Sequence, residues 1–273
     1  MKPAPFGYER PRDLREAHQI LRQSDGSAKI FAGGQSLGPM LNMRLAQPQR
    51  IMDITALPEL THREETKDSV FVGACVTHAN IEDRLVPDAS RGMMPSLATG
   101  IAYRAVRNRG TVGGSLCHAD PAADWISILT ALDAQVLISG EGGHRTLPIS
   151  DFIMGVFEVD LSPTEILEGV RIPRLSARAR WGYYKFCRKT GEFAEAIGVV
   201  VDDPENDVCR IVVGATEGAP YVLSSRTLFR SGDLTKLDTQ HLFDLFDEKG
   251  MHDPYERQLH RVAVERAALR ATA

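Results

Sequence analysis

A short pattern, two adjacent glycines followed by a polar residue, occurs twice in this chain, and its first copy lies between a strand-like and a helix-like segment. The two copies are Ala32-Gly33-Gly34-Gln35-Ser36-Leu37 and, about 80 positions later, Thr111-Val112-Gly113-Gly114-Ser115. Paired glycines permit positive φ angles and close approach of the main chain, so that successive N–H groups face one point. A helix that begins directly afterwards adds donors and a positive dipole end. The two copies therefore suit the two anionic halves of a pyrophosphate.

Neither copy matches the common nucleotide-binding motifs. The glycine spacing is not that of a dinucleotide-binding Rossmann domain, and Lys29 precedes the first glycine pair, whereas the lysine of a P-loop follows it. The sequence therefore disfavours both a nicotinamide-binding Rossmann domain and an NTPase. The alternative for each loop is a plain tight turn. In that case Ser36 caps the helix after the first loop, and Asp120 caps a helix that begins at Pro121.

The composition is that of an ordinary globular protein. The chain has 273 residues, 43% hydrophobic and 25% charged, which is enough for two domains. The net charge of −4 provides no basic stripe for nucleic acid or for an acidic membrane surface. We find no secretory signal pattern and no apolar run long enough to span a membrane. We therefore expect a cytoplasmic protein that has no integral membrane segment and does not bind nucleic acid.

The cysteine and histidine pattern does not indicate a metal centre. The four cysteines, Cys75, Cys117, Cys187 and Cys209, form no CxxC pair and have no spaced histidine partner. His118 lies near carboxylates but has no second nitrogen or sulfur ligand nearby in the sequence. We expect no metal site in this chain. Redox chemistry would have to come from a bound organic cofactor.

Hydrophobic periodicity and turn signals divide the chain into a mixed part and a smaller part with an antiparallel sheet. In the first part we predict a helix over about 13–24 with Asp13 as its N-cap, a helix capped by Thr77, helices over 37–45 and 94–103, and a helix starting at Asp120-Pro121. Strands are predicted there over 29–32, 51–54, 70–74, 134–139, 146–149 and 165–172. In the second part we predict strands over 181–188, 196–201 and 208–215, with the polar turn 202–207 joining the last two as a hairpin, and helices over 234–249 and 255–271. The basic segment 174–180 is the predicted boundary, and the fold class is α+β.

The combination of residues 32–37 with residues 111–124 resembles a known family. The second stretch reads Thr-Val-Gly-Gly-Ser-Leu-Cys-His-Ala-Asp-Pro-Ala-Ala-Asp. Together they resemble the FAD-binding medium subunits of the molybdenum hydroxylases, the xanthine dehydrogenase and carbon monoxide dehydrogenase family. The resemblance implies a PCMH, or vanillyl-alcohol-oxidase-type, FAD-binding domain over 1–175, with two α/β subdomains at about 1–57 and 58–175. A carbon monoxide dehydrogenase flavoprotein-type C-terminal domain would follow over 178–273.

The resemblance also implies which residues bind FAD. The two loops would surround the pyrophosphate, Asp124 would lie near ribityl or ribose hydroxyls, and a Cβ added at Gly34 or Gly114 would point at the phosphates. Ile101, Leu167 and Lys185 would lie near the isoalloxazine, where a cation stabilises an anionic reduced flavin. Gln35 replaces a histidine found in some relatives, which affects only a side-chain contact. The implied cofactor-binding residues are Lys29, Ala32, Gly33, Gly34, Gln35, Ser36, Leu37, Ile101, Thr111, Gly114, Ser115, His118, Asp120, Asp124, Leu167 and Lys185.

The implied activity is that of one subunit of an oxidoreductase, with no classical acid–base residue of its own. A small subunit with two [2Fe–2S] clusters and a large molybdopterin subunit would be its partners, as a dimer of heterotrimers. The chain would take electrons from the clusters and pass them through FAD to an external acceptor, at the inner membrane if that acceptor is a quinone. Two alternatives stay open: a free-standing FAD-dependent oxidase of the PCMH superfamily, and a flavin-free assembly protein that retains the fold.

Overall fold

The computed structural model describes residues 2–223 and 226–272, and it begins with a small three-stranded parallel sheet. Its elements are β1 (Gly7–Glu9), α1 (Leu14–Ser24), β2 (Ala28–Phe31), α2 (Leu37–Asn42) and β3 (Arg50–Asp53), with the strands in the order β1-β3-β2. As predicted, α1 begins after Asp13, whose carboxylate accepts a hydrogen bond from the N–H of Glu16. The first glycine loop lies between β2 and α2, directly after a strand of this sheet.

The second group of elements surrounds a five-stranded antiparallel sheet in the order β4-β5-β10-β6-β7. The first elements of this group along the chain are α3 (Pro58–Thr61), β4 (Arg63–Glu65), β5 (Ser69–Gly73), α4 (His78–Glu82), α5 (Met93–Ala98), α6 (Arg104–Arg107), α7 (Val112–His118) and α8 (Asp124–Ala131). Then follow β6 (Gln135–Gly140), β7 (Gly143–Pro148), α9 (Ile149–Phe152), β8 (Ile153–Gly155), β9 (Glu158–Val159) and β10 (Ile166–Pro173). The second glycine loop forms the start of α7.

A four-stranded antiparallel sheet and two helices complete the chain. They are β11 (Arg180–Phe186), β12 (Ala196–Asp203), β13 (Val208–Gly214), β14 (Tyr221–Leu223), α10 (Thr239–Glu248) and α11 (Pro254–Arg270). The predicted hairpin between β12 and β13 is confirmed. Helix α11 packs closely on this sheet. A Cβ at Gly198 would lie only 2.4 Å from the main chain of Ala263, so there is no room for a side chain between the strand and the helix.

Helix α8 lies between the two larger sheets, and every one of its residues is buried. Its side chains share one hydrophobic core with residues of the five-stranded sheet and with Tyr183, Ile197 and Val199 of the four-stranded sheet. Its polar residues, Asp124, Ser127 and Thr130, are buried together with its apolar ones. As a consequence, the N-terminal end of α8 faces β11, and this places Asp124 beside the C-terminal sheet.

The α+β class is confirmed, but four predicted helices differ in their bounds, and the one expected over 37–45 already ends at Asn42. The helix expected at Asp120-Pro121 begins only at Asp124, because the Asp120 carboxylate accepts a hydrogen bond from the N–H of Ala122 and closes a turn. The helix expected over 94–103 ends at Ala98, before a turn in which Ala102 has a positive φ of 45°. The helix expected from residue 234 begins at Thr239, where Asp238 caps it.

Candidate cofactor site

The first glycine loop presents a row of main-chain donors. In the described part of the chain, no protein oxygen accepts a hydrogen bond from the N–H groups of residues 33–37. Gly34 has a φ of +73°, the left-handed conformation that turns successive N–H groups to one side. Ser36 makes no capping hydrogen bond, so the expected alternative of a serine-capped helix is wrong. Unpaired N–H groups in a concave loop are suited to an anionic ligand.

The second glycine loop has no such free row, because the fold already uses its N–H groups. Val112 and Gly113 donate to the carbonyl oxygens of Val76 and Ala74, at 3.1 and 2.9 Å. Gly114 donates to Oγ1 of Thr111 at 3.1 Å, which is the capping bond of α7. The side chain of the half-buried Ser115 is the group this loop can still offer to a ligand. The two loops therefore differ in what they can contribute, although their sequences are alike.

The two loops lie against each other. A Cβ at Gly33 would be only 2.1 Å from the carbonyl oxygen of Arg109, and a Cβ at Gly114 would be 3.5 Å from the Cβ of Ala32. A Cβ at Gly34 would meet the Phe31 ring at 2.3 Å, and one at Gly114 would meet Oγ1 of Thr111 at 2.8 Å. The expectation that these two Cβ atoms point at a phosphate is therefore wrong. Glycine is needed here because the protein packs against itself.

A buried histidine, His78, contacts the residue directly before the second loop. The main-chain N–H of His78 donates to the carbonyl of Gly110 at 2.9 Å, and the indole Nε1 of Trp125 donates to Nδ1 of His78, also at 2.9 Å. Burial, followed by the charge of Arg107, lowers the pKa of His78 to about 4. Sequence analysis did not identify His78, since no local pattern connects it with Trp125.

We expect His78 to make the protein less stable in acid. The pKa of His78 is about 4 in the folded state and 6.5 in the unfolded chain, so below pH 6.5 the unfolded state binds the proton more tightly. The free energy of unfolding should therefore fall by up to about 3 kcal/mol as pH drops from 6.5 to 4. Urea unfolding at several pH values measures this loss. In the His78→Gln variant, which keeps an acceptor for Trp125 but does not titrate, the loss should be smaller. If the free energy of unfolding depended on pH identically in both proteins, this role of His78 would be contradicted.

A second buried polar group connects α8 with β11. The Asp124 carboxylate accepts hydrogen bonds from the Tyr183 hydroxyl at 2.5 Å and from Nζ of Lys185 at 2.9 Å. Tyr183 and Lys185 reach it together because residues two apart on a strand share a face. The side chains of Lys185 and Asp124 are only 11% and 7% exposed. Burial and then the negative charge of Asp124 raise the pKa of Tyr183 well above its ordinary value.

The structure thus brings together two residues for which different roles were expected, and it adds a third. Asp124 and Lys185, expected at the ribityl or ribose hydroxyls and at the isoalloxazine, form one ion pair. Tyr183 was missed, although its position two residues before Lys185 was an available signal.

The other expected residues are spread around the glycine loops. Lys29 is exposed on β2, and Gln35 is exposed with its amide nitrogen bound to the carbonyl of Gly33. The ring of His118 packs on the ring of Phe157, with centroids 5.0 Å apart. Ile101 is half-buried in the turn after α5, and Leu167 is buried in the main core.

An open groove lies beside the second loop and contains one of the expected residues, Asp120. Its volume is about 470 Å³, and it is lined by Asp120, Pro121, Ala122, Val156, Phe157, Ala215, Thr216 and Glu217. Residues of the β8–β9 hairpin and of the segment after β13 thus face each other across this groove. Within residues 2–223 and 226–272, no three His, Cys, Asp or Glu side chains converge to hold a metal ion. No helix in these ranges is both long and apolar enough to span a membrane.

Comparisons with known proteins identify the family. Residues 4–175 match the family described as the FAD binding domain in molybdopterin dehydrogenase. The chain is 34% identical to the carbon monoxide dehydrogenase medium chain of Hydrogenophaga pseudoflava, over 82% of this chain and 78% of the relative. It is 31% identical to the caffeine dehydrogenase subunit beta of Pseudomonas sp. strain CBB1, over 99% of this chain and 96% of the relative.

A solved structure agrees with these sequence matches. A chain of carbon monoxide dehydrogenase from Hydrogenophaga pseudoflava, in a form lacking the Mo-pyranopterin moiety of the molybdenum cofactor, superposes with a TM-score of 0.85. The two chains are 29% identical, and the alignment covers 100% of this chain and 99% of the other. The protein described here therefore belongs to the FAD-binding medium subunits of the molybdenum hydroxylase family.

Proposed function

We propose that this chain is the FAD-carrying electron-transfer subunit of a multi-subunit molybdenum hydroxylase. When bound, FAD would supply the redox chemistry, which is the transfer of electrons from [2Fe–2S] clusters of a partner subunit to an external acceptor. The observation that carries the proposal is the row of unpaired N–H groups at residues 33–37 with the second glycine loop packed against it. The FAD-binding domain would comprise residues 1–175, and the C-terminal domain residues 178–273.

The expected site residues would act mainly by binding and orienting the cofactor. The first loop would hold the pyrophosphate through main-chain donors, and the hydroxyls of Ser36 and Ser115 would add side-chain contacts. Asp124 would lie at the ribityl or ribose hydroxyls and Lys185 near the isoalloxazine, and their ion pair would hold both side chains in place. Ile101 would provide an apolar surface for the isoalloxazine. None of these residues is proposed as a general acid or base.

The names of the relatives support a subunit rather than a free-standing oxidase. One relative is a medium chain and another a subunit beta. Their named substrates, carbon monoxide and caffeine, are chemically very different, although their FAD subunits are both similar to this chain. We therefore propose that partner subunits, one with [2Fe–2S] clusters and one with molybdopterin, select the substrate. The proposed assembly is a dimer of heterotrimers that delivers its electrons to an external acceptor.

We expect the purified chain to release FAD when denatured, and to depend on its partners for reduction. The chain alone should show the absorption bands of oxidised flavin, and small alcohols or amines should not bleach them. Within the complex, the substrate of the large subunit should bleach the same bands rapidly. Absorption spectra with subunits identified by mass test both points. Rapid bleaching of the isolated chain by an alcohol or amine would instead indicate an oxidase, and a protein without flavin would indicate an assembly protein.

A further inference from the structure

Arg107, which sequence analysis did not identify, is a buried arginine with four hydrogen bonds. Its Nε and Nη2 donate to the two carboxylate oxygens of Glu82, at 2.7 and 2.9 Å. Its Nη1 donates to the carbonyl oxygens of Ile101 and Ala102, at 3.0 and 2.9 Å. The side chain of Arg107 is 10% exposed and that of Glu82 is 15% exposed. These contacts lower the pKa of Glu82, chiefly through its hydrogen bond to Arg107. The guanidinium is thus fixed by the carboxylate and holds two carbonyls with its remaining donor.

The turn that Arg107 holds contains a residue with a left-handed backbone conformation. Ala102 has a φ of +45°, a left-handed conformation that is unfavourable for a residue with a Cβ. Such a conformation persists only where the surroundings enforce it. The carbonyl of Ala102 is also packed from the C-terminal part, since a Cβ at Gly191 would lie 3.0 Å from it. The turn is therefore held from both sides.

Holding the carbonyls also sets the direction of the N–H groups that follow them. The chain has no cis peptide bonds in its described part, and in a trans peptide the C=O and N–H groups point in opposite directions. With the carbonyls of Ile101 and Ala102 turned toward Arg107, the N–H groups of Ala102 and Tyr103 point away from it. Neither N–H donates to a protein acceptor in residues 2–223 and 226–272.

We propose that Arg107, oriented by Glu82, is a positioning residue for the flavin. It holds the 101–103 turn so that the Ile101 side chain and the N–H groups of Ala102 and Tyr103 are presented to the isoalloxazine. Hydrogen bonds to a flavin ring alter its electronic properties, so the turn affects the reduction potential as well as binding. The inference rests on the proposed function, because that function places the isoalloxazine beside Ile101.

Arg104 is a matched control in the same ion-pair cluster. It donates to Glu82 at 2.7 Å and to Asp83, but its side chain is 47% exposed and none of its hydrogen bonds reaches the carbonyls of the turn. Loss of Arg104 therefore disturbs the surface ion pairs and leaves the turn intact. Loss of the Arg107 fork disturbs the turn itself.

The test is Arg107→Lys, which keeps the charge but not the planar fork, beside Arg104→Met in the same full chain. FAD dissociation constants, the visible circular dichroism of the bound flavin and its reduction potential are measured. We expect Arg107→Lys to bind FAD at least tenfold more weakly and to alter both the dichroism and the potential. We expect Arg104→Met to match the wild type in all three measurements. If Arg107→Lys does not fold, Glu82→Gln, which weakens the hold on Arg107, is judged by the same measurements.

Two results would overturn the inference in different ways. A folded Arg107→Lys protein with wild-type affinity, dichroism and potential would refute the positioning role and leave the proposed function standing. A wild-type chain that binds no FAD would refute the proposed function, and the inference with it.

Discussion

Replacing Lys185 with methionine is expected to destabilise the protein by about 3 kcal/mol or more, the cost typical of breaking a buried ion pair by removing one partner. Methionine fills nearly the same space, so that the change removes mainly the charge and the hydrogen bond to Asp124. The Asp124 carboxylate would then be buried with Tyr183 as its remaining side-chain donor. Urea unfolding of the purified variant at neutral pH measures the loss.

The double variant Asp124→Asn with Lys185→Met is the control for this interpretation. Asparagine keeps an oxygen that accepts the Tyr183 hydrogen bond, and it carries no charge. If the buried charge causes the loss, the double variant should be more stable than Lys185→Met alone. Simple addition of two separate losses would contradict this, because it would mean that the two side chains are not coupled.

Replacing Gly33 with alanine is expected to weaken FAD binding by about 10- to 100-fold, because losing one hydrogen bond to a charged group costs about 1.5–3 kcal/mol. The new Cβ would lie 2.1 Å from the carbonyl oxygen of Arg109, whereas real Cβ atoms keep about 3.0 Å from such neighbours. The two glycine loops must therefore separate by about an ångström. The first loop carries the unpaired N–H groups, so its displacement moves the donors away from the pyrophosphate.

Gly38→Ala is the matched control. Gly38 is the second residue of α2 and directly follows the first loop, and a Cβ there would have no neighbour within 4 Å. The same chemical change should leave FAD affinity unchanged, and alanine in a helix should add up to about 1 kcal/mol of stability. Titration of both apoproteins with FAD, followed by flavin fluorescence, gives the comparison. Equal affinity of the two variants would show that contact between the loops does not shape the site.

Local features of this protein were predictable because they depend on neighbouring residues. The caps at Asp13 and Thr77 and the β12–β13 hairpin follow from short patterns, and the structure confirms them. The placement of the first glycine loop between a strand and a helix was likewise apparent. Asp120 shows the limit of such reasoning, since an aspartate before proline suits a helix cap and a turn equally well. Here the Asp120 carboxylate accepts a hydrogen bond from the N–H of Ala122, and the helix starts later.

The different roles of the two glycine loops could not be seen in their sequences. Both have paired glycines, yet the N–H groups of the second loop are bonded to Ala74, Val76 and Thr111. Two of those acceptors lie on a segment more than 30 positions away, and only the packing of α7 against that segment brings them close. The glycines themselves are required by contacts between distant parts of the chain, such as Gly33 with Arg109.

The sequence alone was enough to predict the fold class and the family, because periodicity, turn residues and motif spacing are properties of contiguous residues. The tertiary structure alone established the partners of the buried charges. Asp124 lies 59 positions from Tyr183, and His78 lies 47 positions from Trp125. Because α8 is buried between two sheets, the polar groups on it and next to it are removed from water and need hydrogen-bond partners within the protein. Those partners are distant in the sequence, so no local pattern predicts them.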